Sequence, residues 1–130
     1  MIRTFQLLAA LPLFLALAVA EDAYLTVEDA GPDYALQGEY TGEIKVDGER
    51  VQLGLQVIAR GDHKFDAVSY PGGLPGAGWT GEEKFKAHGE TKEGETKIVD
   101  DEHGHAILND GTAALYSKDG SELGTLKKIE

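Results

Sequence analysis

Glycine stops this chain so often, and so often beside aspartate, that no long element can form between the stops. Seventeen of its 130 residues are Gly. Asp47-Gly48, Asp110-Gly111 and Asp119-Gly120 each carry the pair that supplies the positive φ angles of a tight hairpin turn. Gly61-Asp62 gives a further stop. Between the stops the side chains alternate. In 50–60, Val51, Leu53, Leu55, Val57 and Ala59 fall on one face. Arg50, Gln52, Gln56 and Arg60 mostly take the other, with Ile58 as the exception. A period of two is what a half-buried strand requires.

The same reading continues along the chain. Segments 34–40 and 43–46 are expected as strands before the Asp47-Gly48 turn. Segment 64–70 follows Gly61-Asp62, with Phe65, Ala67 and Ser69 opposing Asp66, Val68 and Tyr70. Segment 84–88 is a short strand with Phe85 and Ala87 inward, and 89–95 is a charged turn. Segments 96–99, 105–108, 112–117 and 123–129 complete the series. Short strands at intervals of about 8–12 residues predict an all-β domain, a small antiparallel sandwich or barrel-like meander of about 7–9 strands. No stretch after residue 20 shows a helical period, and so many glycines disfavour helices. There is no internal repeat, linker or low-complexity run.

The start has a different character. Arg3 precedes an apolar stretch over 7–19 interrupted by Pro12, Ala18-Val19-Ala20 fits a small-x-small cleavage pattern, and Glu21-Asp22 turns acidic. A basic start, a short apolar run and a small-residue site define a secretory signal helix, cleaved here between Ala20 and Glu21. The run is shorter than the roughly 20 apolar residues a spanning helix needs. No Cys follows it, which excludes a lipid-modified bacterial lipoprotein. The expected organisation is a signal peptide at 1–20, a lead-in at 21–32 and a single β domain at 33–130. The product is secreted or periplasmic, touches the membrane only through the signal before cleavage, and acts as a monomer.

Composition narrows the function classes. The net charge is −11, and cleavage removes Arg3, the only charged residue of 1–20, leaving −12. Lys84, Lys86, Lys127 and Lys128 are too sparse to form the basic face that nucleic acid needs. The charges are dispersed, which favours solubility over an acidic binding tail. Export permits disulfides, yet the chain has no Cys. Burial and backbone pairing must therefore hold it together, which tilts the reading toward a bacterial protein.

Chemistry-bearing constellations are few. Tyr70-Pro71-Gly72-Gly73-Leu74-Pro75-Gly76-Ala77-Gly78-Trp79 is the most distinctive segment. It lacks the Gly-Lys-Ser/Thr ending of a phosphate-cradling loop. It does set the only Trp beside a Tyr and adaptable backbone, so Trp79, Tyr70, Leu74, Gly73 and Gly76 are the candidate ligand-binding residues, with a sugar face or another apolar ligand as the partner. The alternative is that Trp79 folds back as a lid on the core. His103 and His105 follow Asp100-Asp101-Glu102 and are weak candidates for a divalent metal, since residues two apart on a strand share a face. A solvated turn is the better reading, and no metal or other cofactor is expected. No nucleophile elbow surrounds Ser69, Ser117 or Ser121. Carboxylates are abundant, but abundance does not position a pair for glycoside hydrolysis, so no catalytic residue is named.

The segments Gln37-Gly38-Glu39-Tyr40, Gln56-Val57-Ile58-Ala59, Gly61-Asp62, Lys64-Phe65, Ala67-Val68, the loop at 70–79 above all, and the close at 120–130 carry a resemblance. Together they resemble the N-terminal region that precedes the catalytic domain in secreted bacterial proteins of the 3-keto-disaccharide hydrolase family. The likeness spans about residues 33–130, and the Pro-Gly-Gly-Leu-Pro-Gly-x-Gly-Trp loop is its specific part. It implies a non-catalytic module accessory to carbohydrate processing, with a sugar or a companion hydrolase as partner. The family's jelly-roll catalytic domain, which acts on keto-sugar glycosides, would lie after this region, so its active-site residues have no positions here. Two alternatives stand beside this reading: a stand-alone structural remnant of a longer hydrolase, and a small glycoside-type hydrolase using carboxylates.

Overall fold

The computed structural model describes residues 31–129. The signal helix, the cleavage site at Ala20 and Glu21, and the lead-in as far as residue 30 lie outside the described residues. Eight strands follow one another in space as they do in sequence. They are β1 (Gly38–Val46), β2 (Glu49–Gly61), β3 (Lys64–Pro71), β4 (Phe85–Lys92), β5 (Glu95–Asp100), β6 (Gly104–Asn109), β7 (Thr112–Tyr116) and β8 (Glu122–Lys128). Each pairs antiparallel with the next, and β8 returns to β1, so the sheet closes into an up-and-down barrel. Of the two all-β forms the alternation allowed, this is the barrel.

The β1–β2 and β6–β7 turns are those that Asp-Gly chemistry demands, whereas at Asp119-Gly120 only the glycine takes a positive φ, 91°, and the β2–β3 reversal is made by Asp62 and His63, at 54° and 62°. Asp47 and Gly48 sit at φ 52° and 82°, and Asp110 and Gly111 at 31° and 88°. Glu93-Gly94 adopts the same conformation, at 52° and 81°. That short turn corrects the reading of 89–95 as one charged turn. Gly89 to Lys92 continue β4, with Glu90, Thr91 and Lys92 in register against Lys97, Thr96 and Glu95. The charged side chains there simply take the wet face.

A second correction concerns 34–40. Pro32–Leu36 is a short helix, α1, and the strand begins only at Gly38. Pro32 opens the helix where its missing N–H costs nothing, and Asp33 places a carboxylate in the first turn. Five residues are too few to display a helical period, so alternation could not reveal it.

Inward positions alternate as expected: Leu53, Leu55 and Val57 on β2, Phe65 and Ala67 on β3, Ile98 on β5 and Leu126 on β8 are buried. Ile58 points out and is 49 % exposed, which accounts for its break in the pattern. The largest fully buried side chains, Tyr40, Phe65, Val57 and Leu126, all belong to the end of the barrel formed by the β2–β3 and β4–β5 turns. Leu36 packs on this cluster, and Ala59 N–H donates to Gln37 Oε1 at 3.0 Å. The Tyr40 hydroxyl donates to the Leu36 carbonyl at 2.6 Å. Lys128 Nζ donates to the Ala35 carbonyl at 2.8 Å. One end is thus plugged by large side chains whose polar atoms are all paired.

Candidate functional site

The other end is not plugged. The β1–β2, β5–β6 and β7–β8 turns surround a mouth that opens into a cavity of about 860 Å³. An eight-stranded barrel is just wide enough for side chains to fill it, or, with smaller ones, to hold one small ligand. Here the inward residues of the open half are small on several strands: Ser69 on β3, Ala87 on β4, Gly104 and Ala106 on β6. Larger apolar side chains, Ile44, Leu53, Leu55, Ile98 and Leu115, line the remaining wall. The cavity exists because small residues from non-neighbouring stretches of chain meet at one level of the barrel.

Polar groups collect at the rim. Asp100 ends β5 at an inward position opposite Gly104. Its Oδ1 accepts the Glu102 N–H at 3.0 Å, and its Oδ2 lies 2.9 Å from His103 Nδ1. Burial alone would raise the Asp100 carboxyl, but the Glu102 N–H and the His103 ring outweigh it and hold the pKa below the usual value. The His103 ring rests on Phe85, centroid to centroid 4.3 Å. Across the mouth, Asp119 organises the β7–β8 turn. It accepts the Ser117 hydroxyl and, at 3.0 Å, the Ser121 N–H, and these two bonds lower its pKa.

The two histidines diverge. His105 faces out of the barrel, stacked on its β7 neighbour Tyr116 with ring centroids 5.1 Å apart, while His103 leans over the mouth. Only His105 lies on a strand, since His103 belongs to the turn, so the shared-face geometry that a His-x-His ligand pair needs does not arise. Among the described residues no group of three or more His, Cys, Asp or Glu could hold a metal ion.

The 71–79 loop lies against the outer face of the barrel, not over the core. Gly72 N–H donates to the Gln52 carbonyl at 2.8 Å and pins the loop to β2. Leu74 is buried over Gly54, where a Cβ would stand 2.6 Å from the Leu74 nitrogen. Tyr70 is also buried on this outer side, its hydroxyl donating to Gln56 Oε1 at 2.9 Å. Trp79 meets Tyr70 edge to face at 5.2 Å, and its indole N–H donates to the Glu83 carbonyl at 2.7 Å. Of the five candidate residues, Tyr70, Gly73 and Leu74 are buried by this packing, Trp79 is half-buried, and Gly76 is exposed at the tip. The cavity wall was not among the candidates. Its apolar stripe on β2 was visible as alternation, but nothing local marks Ala87, Gly104 and Ala106 as neighbours around one space.

An antiparallel eight-stranded barrel plugged at one end and hollow at the other is a form suited to holding a small molecule. No family model matches the chain, and no curated protein shows significant similarity to it. Among solved structures, the 1.42 Å crystal structure of a candidate lipoprotein from Shewanella oneidensis superposes with a TM-score of 0.43 at 20 % identity. The match covers 72 % of this chain and 88 % of that one. A likeness this distant assigns neither a family nor an activity.

Proposed function

We propose that this chain is an exported, non-catalytic β-barrel module that binds a small, largely apolar molecule in the open half of its barrel. The observation that carries the reading is the cavity of about 860 Å³. Its size lies within the range of small-molecule sites, and its apolar wall with a few polar groups at the mouth has their usual make-up. The test uses Nile red, a neutral dye that brightens in apolar surroundings. The purified protein is expected to bind it saturably. Leu115→Trp and Ala106→Leu, which fill the cavity from two strands, are expected to weaken binding by at least about ten-fold. Unchanged binding in both variants, with native circular dichroism, would overturn the reading.

A second reading rests on Trp79. Its indole is half-buried in a loop that exposes Pro75 and Gly76, and an aromatic face of this kind can stack on a sugar ring. The resemblance to the front of the 3-keto-disaccharide hydrolases supports a carbohydrate-associated role of this sort, next to a companion hydrolase. A glycan array comparing wild type with Trp79→Ala tests it. Absence of binding, or binding indifferent to the substitution, removes the sugar-stacking reading and leaves the cavity reading standing.

A further inference from the structure

The mouth of the cavity carries unequal charge, and the inequality bears on which ligands can seat there. The fully charged residues that line it are four carboxylates, Asp47, Asp100, Asp119 and Glu122, and two lysines, Lys45 and Lys118. Both lysines are exposed. Alternation along β1 turns Ile44 inward and Lys45 to the outer face. Lys118 belongs to the β7–β8 turn. Neither ammonium is therefore built into the interior wall, and Asp47, Asp119 and Glu122 are exposed as well.

Asp100 is placed differently. Its side chain is only 21 % exposed, it stands at an inward strand position, and the residue opposite it is Gly104, which has no side chain to cover it. The Glu102 N–H and the His103 ring occupy one lone-pair site on each oxygen, and a carboxylate offers about four in all. The bonds that hold it also keep it ionised. A carboxylate or phosphate head would meet a fixed negative charge at the entrance, and no Arg lines the cavity to receive it.

We infer that the barrel cavity selects amphiphiles with a protonated-amine head over those with an anionic head, and that Asp100 is the residue that discriminates. The inference rests on the cavity reading above. The polar end of the ligand sits at the rim against Asp100, and the apolar body lies along the wall below it.

The experiment measures displacement of Nile red from the purified protein by three ten-carbon probes that differ only in the head: decylamine, decanol and decanoate. The expected order is amine, then alcohol, then carboxylate. The amine should bind about five-fold or more tightly than the alcohol at low ionic strength, and the gap should narrow in about 0.5 M salt. Asp100→Asn keeps an oxygen for the Glu102 N–H and loses the charge, so it should bring the amine down to the alcohol. Equal displacement by all three probes overturns the head-group inference and leaves the cavity reading intact. So does an amine preference that survives Asp100→Asn. If Nile red binds but none of the probes displaces it, the head-group inference falls and the cavity reading stands; if the dye does not bind, both fall.

Discussion

Gly54 shows how one missing side chain places a whole loop. It lies on the outer face of β2, and the backbone of Leu74 occupies the space a Cβ would take. Gly54→Val therefore has to lift the 71–79 loop off the barrel, while the inward stripe of β2 is untouched. Stability is expected to fall by about 1–3 kcal/mol through lost packing, and the emission of Trp79, the only Trp in the chain, is expected to shift to the red. Unshifted emission would show that the loop does not depend on this contact. His105 carries a different residue-scale expectation. Burial, then the nearby Lys97, lower its pKa, against a smaller opposing pull from Glu95. The folded imidazole then binds its proton less readily than the unfolded one. Stability should decrease as pH falls through about 6.5, and level off once the folded form is protonated too. The difference in Tm between wild type and His105→Gln, followed from about pH 8 to pH 5, should change over this window. A constant difference would remove His105 as a contributor. Neither effect can be read from composition, because both depend on which strand lies alongside.

Within the elements, the β4–β5 hairpin joins a polar pair to the plugged end of the barrel. Thr91 and Thr96 face each other across it, hydroxyl to hydroxyl at 2.6 Å, with Thr96 buried. Thr96→Val leaves the Thr91 hydroxyl without this partner and is expected to cost about 1–3 kcal/mol. Replacing both with Val removes the pair together and should cost less than the single change. Urea unfolding of the two single variants and the double variant closes the cycle, and simple additivity would mean the hydroxyls are not coupled. This hairpin is also where local reading fell short. Gly89, Glu90, Thr91 and Lys92 have the composition of a turn, yet they pair with β5 because Glu93-Gly94 alone reverses the chain. Gly89 has a packing reason: Ile98 Cδ1 lies where its Cβ would be. By contrast, the β1–β2 turn and its second arm were legible, although the first arm is one unbroken strand from Gly38 to Val46 and not the two segments 34–40 and 43–46. Asp47-Gly48 supplies the turn, and the alternation from Val51 to Ala59 sets the register. The helix at Pro32–Leu36 was not legible, because a single turn carries no period.

At the scale of the molecule, the seam between β8 and β1 decides whether there is a barrel at all. Tyr40 pairs with Lys128, Thr41 with Lys127 and Ile44 with Gly124, and the Ile129 N–H donates to the Glu39 carbonyl at 2.8 Å. Glycine stands on both sides of the seam. A Cβ on Gly42 would lie 3.1 Å from the Thr125 carbonyl oxygen, and one on Gly124 would lie 2.9 Å from that of Glu43. Gly124→Val is expected to force the strands apart and expose two unpaired edges, which invite pairing between chains. Size-exclusion chromatography should then show species larger than those of the wild type run alongside it. A monomeric, fully stable variant would mean the seam tolerates the bulk. The cavity follows from the same closure, since an open sheet with these side chains would have no enclosed half.

The alternation of apolar residues and the Asp-Gly stops determined, from sequence alone, that most of the described chain is a run of short antiparallel strands, and which face of segments 50–60 and 84–88 is buried. They did so because both signals are local: side-chain direction repeats every two residues, and a turn needs only its own φ angles. Tertiary structure decided the rest. It chose a barrel over a sandwich through the pairing of residues eighty or more positions apart. It laid the Trp79 loop on the outer wall, and it gathered Ser69, Ala87, Gly104 and Ala106 around one unfilled space below Asp100. Those outcomes depend on which side chains meet at the same level of a closed sheet, and no stretch of chain carries that information by itself.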